Sequence, residues 1–321
     1  MFSFDAKGIK VNNSDFWLDA HRKTGFSFIS HGHADHLRNH LKVLGTPATV
    51  RFHAWRAKQR EAVALDFGEI YDWDGLRIQL FPAGHILGSA MIRVERDGVS
   101  LLYTGDFKMK PSWTAEQIEI PHADILIMES TFGSPEYIFN SSRESLADDL
   151  SRFINDCFQR GMTPVVLAYA LGKAQEAMKI LGDRDYSVRV HRSAWDISRI
   201  YQDFGVTFQN CALWREGNVA PGEVLVIPPH LARTRKVLAV HRKRTVLLSG
   251  WAKNSNGFHY RADHAIPMSD HADFNDLVGF VKKVNPKQIY TTHGFDEFPK
   301  HLRAIGFDAQ LLKPTDQTEL F

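Results

Sequence analysis

The sequence predicts an α/β protein in two parts: a strand-rich domain interrupted by an α/β insert, with the chain returning to the first domain at its end. Three observations lead there. Up to about residue 140, apolar residues recur in short runs, several alternating at period two, separated by turn residues. From Ser141 to residue 249, strand-like and helix-like stretches alternate, as βα units on a parallel sheet require. Beyond residue 261 come a helix, a strand, a helix and a last strand, and no repeat or low-complexity linker marks a third domain. The expected boundaries are 1–141 and 259–321 for the first domain and 142–258 for the insert.

Taken in order, Phe26-Ser27-Phe28-Ile29 is an apolar strand and residues 53–60 a short helix. Leu76-Arg77-Ile78-Gln79-Leu80-Phe81 and Ala90-Met91-Ile92-Arg93-Val94-Glu95 alternate as half-buried strands do, and Asp97-Gly98 turns the second into residues 99–104. Ile125-Leu126-Ile127-Met128 is apolar throughout, the mark of a strand covered on both faces. Ser141-Ser142-Arg143-Glu144 reads as a capping box, with Leu146, Leu150, Phe153, Ile154, Cys157 and Phe158 at helical spacing behind it and Gly161 as the stop. Strands at 164–169, 186–190, 224–227 and 245–249 then alternate with helices at 173–181, 194–203 and 231–241. The end supplies a helix at 274–284, a strand at 288–292, a helix, and a strand near Leu311-Leu312.

The 321 residues suffice for a large core without disulfide staples, and 44% hydrophobic with 24% charged residues excludes a disordered or fibrous chain. A mean hydropathy of -0.28 and no long uncharged apolar run argue against a membrane span. Met1-Phe2-Ser3-Phe4-Asp5-Ala6-Lys7 lacks a basic flank before an apolar core, so no secretory leader is expected. Cys157 and Cys211 read as two inert thiols, and a cytoplasmic location is the expectation. Net charge is only +2. The unusual feature is histidine, 16 residues, several of them bunched.

Ser30-His31-Gly32-His33-Ala34-Asp35-His36 follows the strand at 26–29, and three imidazoles with a carboxylate in six positions form a borderline ligand set suited to zinc or manganese. On an extended segment His31 and His33 point the same way, and a turn into a helix aims Asp35 and His36 at a second position. Three more apolar strands end in a donor: Leu80-Phe81-Pro82-Ala83-Gly84-His85, Leu101-Leu102-Tyr103-Thr104-Gly105-Asp106 and Ile289-Tyr290-Thr291-Thr292-His293-Gly294. One sheet would place all these ends along a common edge.

H-x-H-x-D-H, the later Gly-His, Thr-Gly-Asp and the C-terminal His resemble the metallo-β-lactamase fold in its two-metal form, an αββα sandwich with its site at one edge. The resemblance implies that His31, His33 and His85 hold a first metal, that Asp35, His36 and His293 hold a second, and that Asp106 bridges them. Asp19, closing Phe16-Trp17-Leu18-Asp19, matches the family's first motif and would brace the ligand loop. Two ions about 3.5–4 Å apart would generate a bridging hydroxide and clamp the attacking and leaving oxygens of a phosphoester.

The insert resembles the Rossmann-like β-CASP domain of nucleic-acid-processing members. Glu129, in Ile127-Met128-Glu129-Ser130-Thr131-Phe132, matches their acidic motif A. His271, in Met268-Ser269-Asp270-His271-Ala272-Asp273, matches motif B, and His293 falls on motif C. The implied role of His271 is to protonate the leaving alkoxide or hold the phosphate, with Glu129 orienting it. Glu129-Ser130-Thr131-Phe132-Gly133-Ser134-Pro135-Glu136-Tyr137, the stretch 168–175, Ser249-Gly250-Trp251 and the stretch 269–274 are most similar to ligase-associated DNA exonucleases. The expected substrate is therefore single-stranded or end-frayed DNA, with a DNA ligase and helicase as partners by family association. The histidine at motif C is instead shared with the RNA endonucleases of 3′-end processing and ribonuclease J, so an RNA endo- or exonuclease is the alternative. A metal-free scaffold and a small-ester or lactam hydrolase are weaker readings, opposed by the full ligand set and by the insert.

Two features bear on substrate grip. Residues 232–244 contain Arg233, Arg235, Lys236, Arg242, Lys243 and Arg244 and no acid, either a phosphate-tracking stripe or a solvated helix face. The turn at Gly172-Lys173 is either a helix-start anion site with Lys173 on the strand's phosphate or a tight turn with a solvated lysine.

Overall fold

The computed structural model describes residues 1–57, 61–215, 217, 219–253 and 262–314. The chain starts with an antiparallel meander, β1 (Phe2–Asp5), β2 (Gly8–Val11) and β3 (Phe16–Leu18). β4 (Phe26–Phe28), β5 (Lys42–Gly45) and β6 (Glu61–Ala64) extend it in parallel, so the six strands lie in sequence order. Between β5 and β6 runs α1 (Pro47–Arg56), capped by Thr46 and opened by a proline at its first turn, where a missing N–H costs nothing. The helix expected at 53–60 thus begins six residues earlier, and positions 58–60 lie outside the described residues.

A second sheet follows: β7 (Ile70–Trp73), β8 (Leu76–Pro82), β9 (Ala90–Arg96) and β10 (Val99–Tyr103) are antiparallel neighbours, and β11 (Ile125–Ser130) lies parallel to β10. The β9–β10 hairpin turns on Asp97 at φ +52 and Gly98 at +76, the mirror-image turn that Asp-Gly favours. Period two decides burial here. Leu101 and Tyr103 enter the core between the two sheets, with Phe16, Phe28 and Ile78, while Leu102 faces the opposite side.

The chain then builds a doubly wound layer from α2 (Arg143–Gln159), β12 (Thr163–Leu167), α3 (Lys173–Gly182), β13 (Ser187–Val190), α4 (Arg192–Asp203), β14 (Cys211–Leu213), β15 (Glu223–Ile227), α5 (Arg235–Leu238), β16 (Lys243–Leu248) and β17 (His264–Ile266). All six strands are parallel, in the order β14-β13-β15-β12-β16-β17. Val166, Val188, Val226 and Val246 face the apolar stripes of α2 and α3, and Val165, Leu167, Leu225 and Leu247 face Val237 and Val240. α2 is capped by Ser142, which accepts from Ser145 N, rather than by the expected box from Ser141; Glu144 pairs with Arg143 instead. The helix expected at 231–241 is a 3-10 turn at Pro229–Leu231 followed by the single turn of α5. Val237 and Val240 are buried there and Ala232 packs against them, but Leu238 is 58% exposed, so no continuous stripe holds a longer helix.

The last stretch returns to the second sheet. α6 (Phe274–Val284) starts at the reciprocal Asp273–Asp276 cap and ends at Asn285 in the left-handed region. Its Leu277, Phe280, Val281 and Val284 cover the outer face of that sheet with Leu102, Leu126 and Met128. β18 (Gln288–Gly294) pairs in parallel with β11; α7 (Phe298–Ala304) and β19 (Ala309–Leu311) complete the layer. The first unit is therefore helix, sheet, sheet, helix, the αββα architecture.

Two compact units result, one of residues 1–110, 115–138 and 271–321, the other of 111–114 and 139–270. The first expected boundary, 141/142, lies three residues from the observed 138/139. The second, at 258/259, falls outside the described residues, and 262–270 join the second unit because β17 pairs with β16 and Asp270 is tied to Lys173.

Candidate metal centre and its carboxylate–imidazole pair

The organising residue is Asp19, just past β3. It is 3% exposed and held at φ +42, a strained backbone for a non-glycine residue. Its carboxylate accepts four hydrogen bonds: from Ser30 N at 2.8 Å, Ser30 Oγ at 2.5 Å, Tyr103 Oη at 2.9 Å and His36 Nδ1 at 2.8 Å. Burial opposes its charge, but the attraction of His36 and the donated hydrogen bonds outweigh it and keep the carboxyl below the ordinary range. The pattern fixes tautomers. The Ser30 hydroxyl spends its proton on Asp19 and so accepts from His31 Nδ1 at 2.9 Å, leaving the lone pair of His31 on Nε2. His36, donating from Nδ1, likewise presents Nε2.

His31, His33, His85 and Asp106 bring one ligand atom each within 4.8 Å of one another. His33 Nδ1 is 3.1 Å from His85 Nε2, and Asp106 Oδ2 is 3.6 Å from His31 Nε2 and 3.9 Å from His85 Nε2. Gly105 permits this: at φ +53, a Cβ on it would come 2.5 Å from Ser30 Cβ. Burial, then repulsion from Glu129, pushes Asp106 up to about 6. His31 Nε2 is buried without a hydrogen-bond partner among the described residues. A buried lone pair facing other imidazoles and a carboxylate is what a divalent cation satisfies and a hydrogen bond here does not, so the residues fit such an ion.

The other expected set is looser. His36 Nε2 lies 3.7 Å from Asp35 Oδ2 and 3.8 Å from Asp106 Oδ2, but the Asp35 side chain is 79% exposed. No helix forms at 35–36; a turn closes there with His36 N on His33 O at 3.2 Å. The His293 ring sits 5.9 Å from that of His36. A β-bulge aims it: Glu129 pairs with Thr292 and Ser130 with Gly294, so His293 is the extra residue, at φ +48. Gly294 closes the bulge where a Cβ would fall 1.7 Å from Ser130 O.

Beside Asp106 stands a second group. The buried Glu129 accepts from Phe107 N at 2.7 Å and faces His271 Nδ1 with both oxygens, at 3.0 and 3.1 Å. Burial opposes the charge of Glu129, yet His271 and the N–H donors hold its carboxyl below the ordinary range. Asp106, Glu129 and His271 also converge within 4.8 Å, and the His271 ring lies 4.7 Å from that of His85. With Nδ1 engaged by Glu129, the other ring nitrogen of His271 is Nε2.

The structure corrects the expected phosphate contact of Lys173. Its side chain is 2% exposed, its Nζ donates to Met268 O at 2.8 Å and it pairs with Asp270 at 3.0 Å. The turn's N–H at Gly172 goes to Gln175 Oε1 at 2.8 Å. The basic run is not one stripe either. Arg244 pairs with Asp156 and covers Phe153, Arg242 and Lys243 bond to backbone carbonyls, and Arg233, Arg235 and Lys236 are exposed. Sequence reasoning passed over Ser30, Tyr103 and the Phe107 N–H. Tyr103 carried a signal, since a tyrosine at an inward position of a buried strand needs a hydroxyl partner.

An αββα sandwich whose strand ends gather imidazoles and a carboxylate defines the metallo-β-lactamase fold class. Comparison with known proteins agrees. Residues 261–308 match the family model described as "Zn-dependent metallo-hydrolase RNA specificity domain". The chain is 37% identical over 322 residues to a protein of Opitutus terrae named "Probable DNA ligase", a match covering 98% of this chain and 31% of that protein. It is 36% identical over 121 residues to "Endoribonuclease YSH1" of Eremothecium gossypii, covering 37% of this chain and 15% of that one. A crystal structure of a protein of unknown function from Enterococcus faecalis V583 shares the fold, with a TM-score of 0.64 at 13% identity over 90% of this chain and 79% of the other. These likenesses support the resemblance to the β-CASP nucleases of the metallo-β-lactamase fold. The chain spans about a third or less of the length of these curated relatives, and among the described residues no helix is long and apolar enough to cross a membrane.

Proposed function

We propose that the chain is a metal-dependent phosphodiesterase acting on nucleic acid, most specifically a DNA exonuclease of repair, with two divalent ions, zinc foremost and manganese second. The observation that carries this reading is the sharing of Asp106 between the His31–His33–His85 cluster and the Glu129–His271 pair. When bound, the ions supply an activated water and Lewis-acid stabilisation of the phosphoryl oxygens. His31, His33 and His85 would hold one ion, Asp35, His36 and His293 the other, and Asp106 both. Asp19 keeps His31 and His36 in the tautomers that present Nε2. His271 donates a proton from Nε2 to the departing alkoxide, and Glu129 orients the ring and stabilises its charged form.

Within the second unit, Tyr169 and Trp251 follow the adjacent strands β12 and β16 and are each 44% exposed, a surface on which unpaired bases stack. The DNA reading, with a ligase as partner, draws on the Opitutus terrae relative. An RNA endo- or exonuclease is the second reading, favoured by the described specificity of the matched family and by the endoribonuclease likeness. The test is one assay: end-labelled single-stranded DNA and RNA of equal sequence, with 5′-hydroxyl or 5′-phosphate, given zinc or manganese. Ladders from DNA alone support the first reading and internal cuts in RNA the second. No cleavage of either with metal loaded defeats both.

A further inference from the structure

Asp19 governs two ligand imidazoles, but by different routes. His36 Nδ1 donates to the carboxylate itself, to Oδ2 at 2.8 Å. His31 Nδ1 meets Ser30 Oγ instead, at 2.9 Å, and among the described residues no other hydrogen bond reaches its ring. The Ser30 hydroxyl has one proton, and at 2.5 Å from Asp19 Oδ2 that proton goes to the carboxylate, so toward His31 the oxygen accepts. Ser30 Oγ also lies 3.5 Å from His36 Nδ1, but that N–H has the nearer Asp19 oxygen, which leaves the hydroxyl to His31. Three contacts fix Ser30 in this place. Its N–H is bonded to Asp19 Oδ1 at 2.8 Å, and its carbonyl accepts from Ala90 N at 2.8 Å. Gly105 packs so closely that a Cβ there would come 2.6 Å from Ser30 Oγ.

We infer that Ser30 is the positioning residue of one metal position alone: it carries the influence of Asp19 to His31 and leaves His36 untouched. The inference rests on the two-ion reading, in which His31 belongs to one ion and His36 to the other. Within that reading the tautomer of His31 hangs on a single hydroxyl. Without Ser30 Oγ, the Nδ1 proton of His31 has no acceptor in a buried site, and a proton moved to Nε2 would cover the lone pair that an ion needs. Asp19 would still accept from Ser30 N, His36 and Tyr103, so His36 would go on presenting Nε2. Asp19 therefore acts on both positions, and Ser30 on one.

Two measurements on the full chain test this. Nitrogen-15 spectra of the metal-free protein read which ring nitrogen of His31 carries the proton, and zinc titration against a competing chelator reads affinity at each position. The wild type should show the His31 proton on Nδ1 and take up two zinc ions. Ser30→Ala should move that proton to Nε2 and weaken one zinc ion by about 10–100-fold, with the other unchanged. Tyr103→Phe removes a donor from the same carboxylate without touching His31, so the His31 proton should stay on Nδ1. That variant separates a tautomer effect from loosened packing around Asp19. The wild-type spectrum needs no variant to fold: a proton on Nε2 of His31 there overturns the role of Ser30. Loss of both ions in Ser30→Ala, or of neither, overturns it as well. A wild type that takes up no zinc defeats the two-ion reading, and this inference with it.

Discussion

β10 and β12 each lead into a glycine at positive φ followed by a buried charged residue, Asp106 after one and Lys173 after the other. Their surroundings differ. Lys173 meets a carboxylate at 3.0 Å and a carbonyl at 2.8 Å, so its charge is answered inside its own unit. Asp106 meets imidazole nitrogens at 3.6 to 3.9 Å and the like charge of Glu129, and is pushed up to about 6. A buried charge that is fully answered is a fastener; one that is not is waiting for a ligand. Local sequence grammar is common to both, and the tertiary neighbours assign the role.

The comparison breaks most plainly at Asp106. Asp106→Asn should lower the content of both ions, measured by metal analysis after gel filtration, and abolish turnover. One tightly held ion untouched by the change would remove the shared-ligand assignment. Next come Glu129→Gln and His271→Ala, which should retain metal and fold but lose about 10²–10⁴-fold in turnover if proton donation is their part. A substrate with an activated leaving group should recover most of that loss. Equal impairment on both substrates would leave phosphate placement as the better account.

Lys173→Met tests the other side. It removes the ion pair to Asp270 and the donor to the Met268 carbonyl, so it should destabilise the protein by about 3 kcal/mol in denaturant unfolding. The salt dependence of nucleic-acid binding should stay as it was; a slope shallower by about one would return Lys173 to the phosphate path.

The last effect, spread over a pH window, is set by His40. Burial, then the neighbouring His53, lowers it to about 4, and its Nδ1 accepts from Thr24 N, so protonation there would set two donors against each other. The folded protein keeps His40 neutral while the unfolded chain takes up a proton below about 6.5. Stability should therefore fall as pH drops from about 6.5 to about 4, by up to about 3 kcal/mol from this residue. Unfolding curves in chelator for the wild type and His40→Asn should differ in slope across that window and run parallel above pH 7. Equal slopes throughout would mean that His40 is charged in the fold.

Legibility varied with how local the cause was. The helix Phe274–Val284 was readable because its caps, Asp273 and Asn285, and its apolar stripe all lie within one stretch. The strand leading to Asp106 was readable as the return arm of the Asp-Gly hairpin, after the period-two strand at 90–95. The helix expected at 231–241 was not there because spacing alone does not say whether Leu238 finds cover. The three- and four-residue strands of the first sheet were mostly invisible, being too short to set a period and stabilised by pairing with distant segments.

By itself the sequence determined which donors exist and that each stands at the end of an apolar strand, since alternation and turn chemistry are written within a few residues. Only the tertiary structure decided their states. Asp19 settles which nitrogen of His31 and His36 is presented, the bulge at Gly294 settles where His293 points, and Asp270 turns Lys173 inward. Each of these depends on desolvation and on a partner remote in the chain. An unpaired charge or lone pair becomes costly only after water has been removed, and the fold alone decides where that happens.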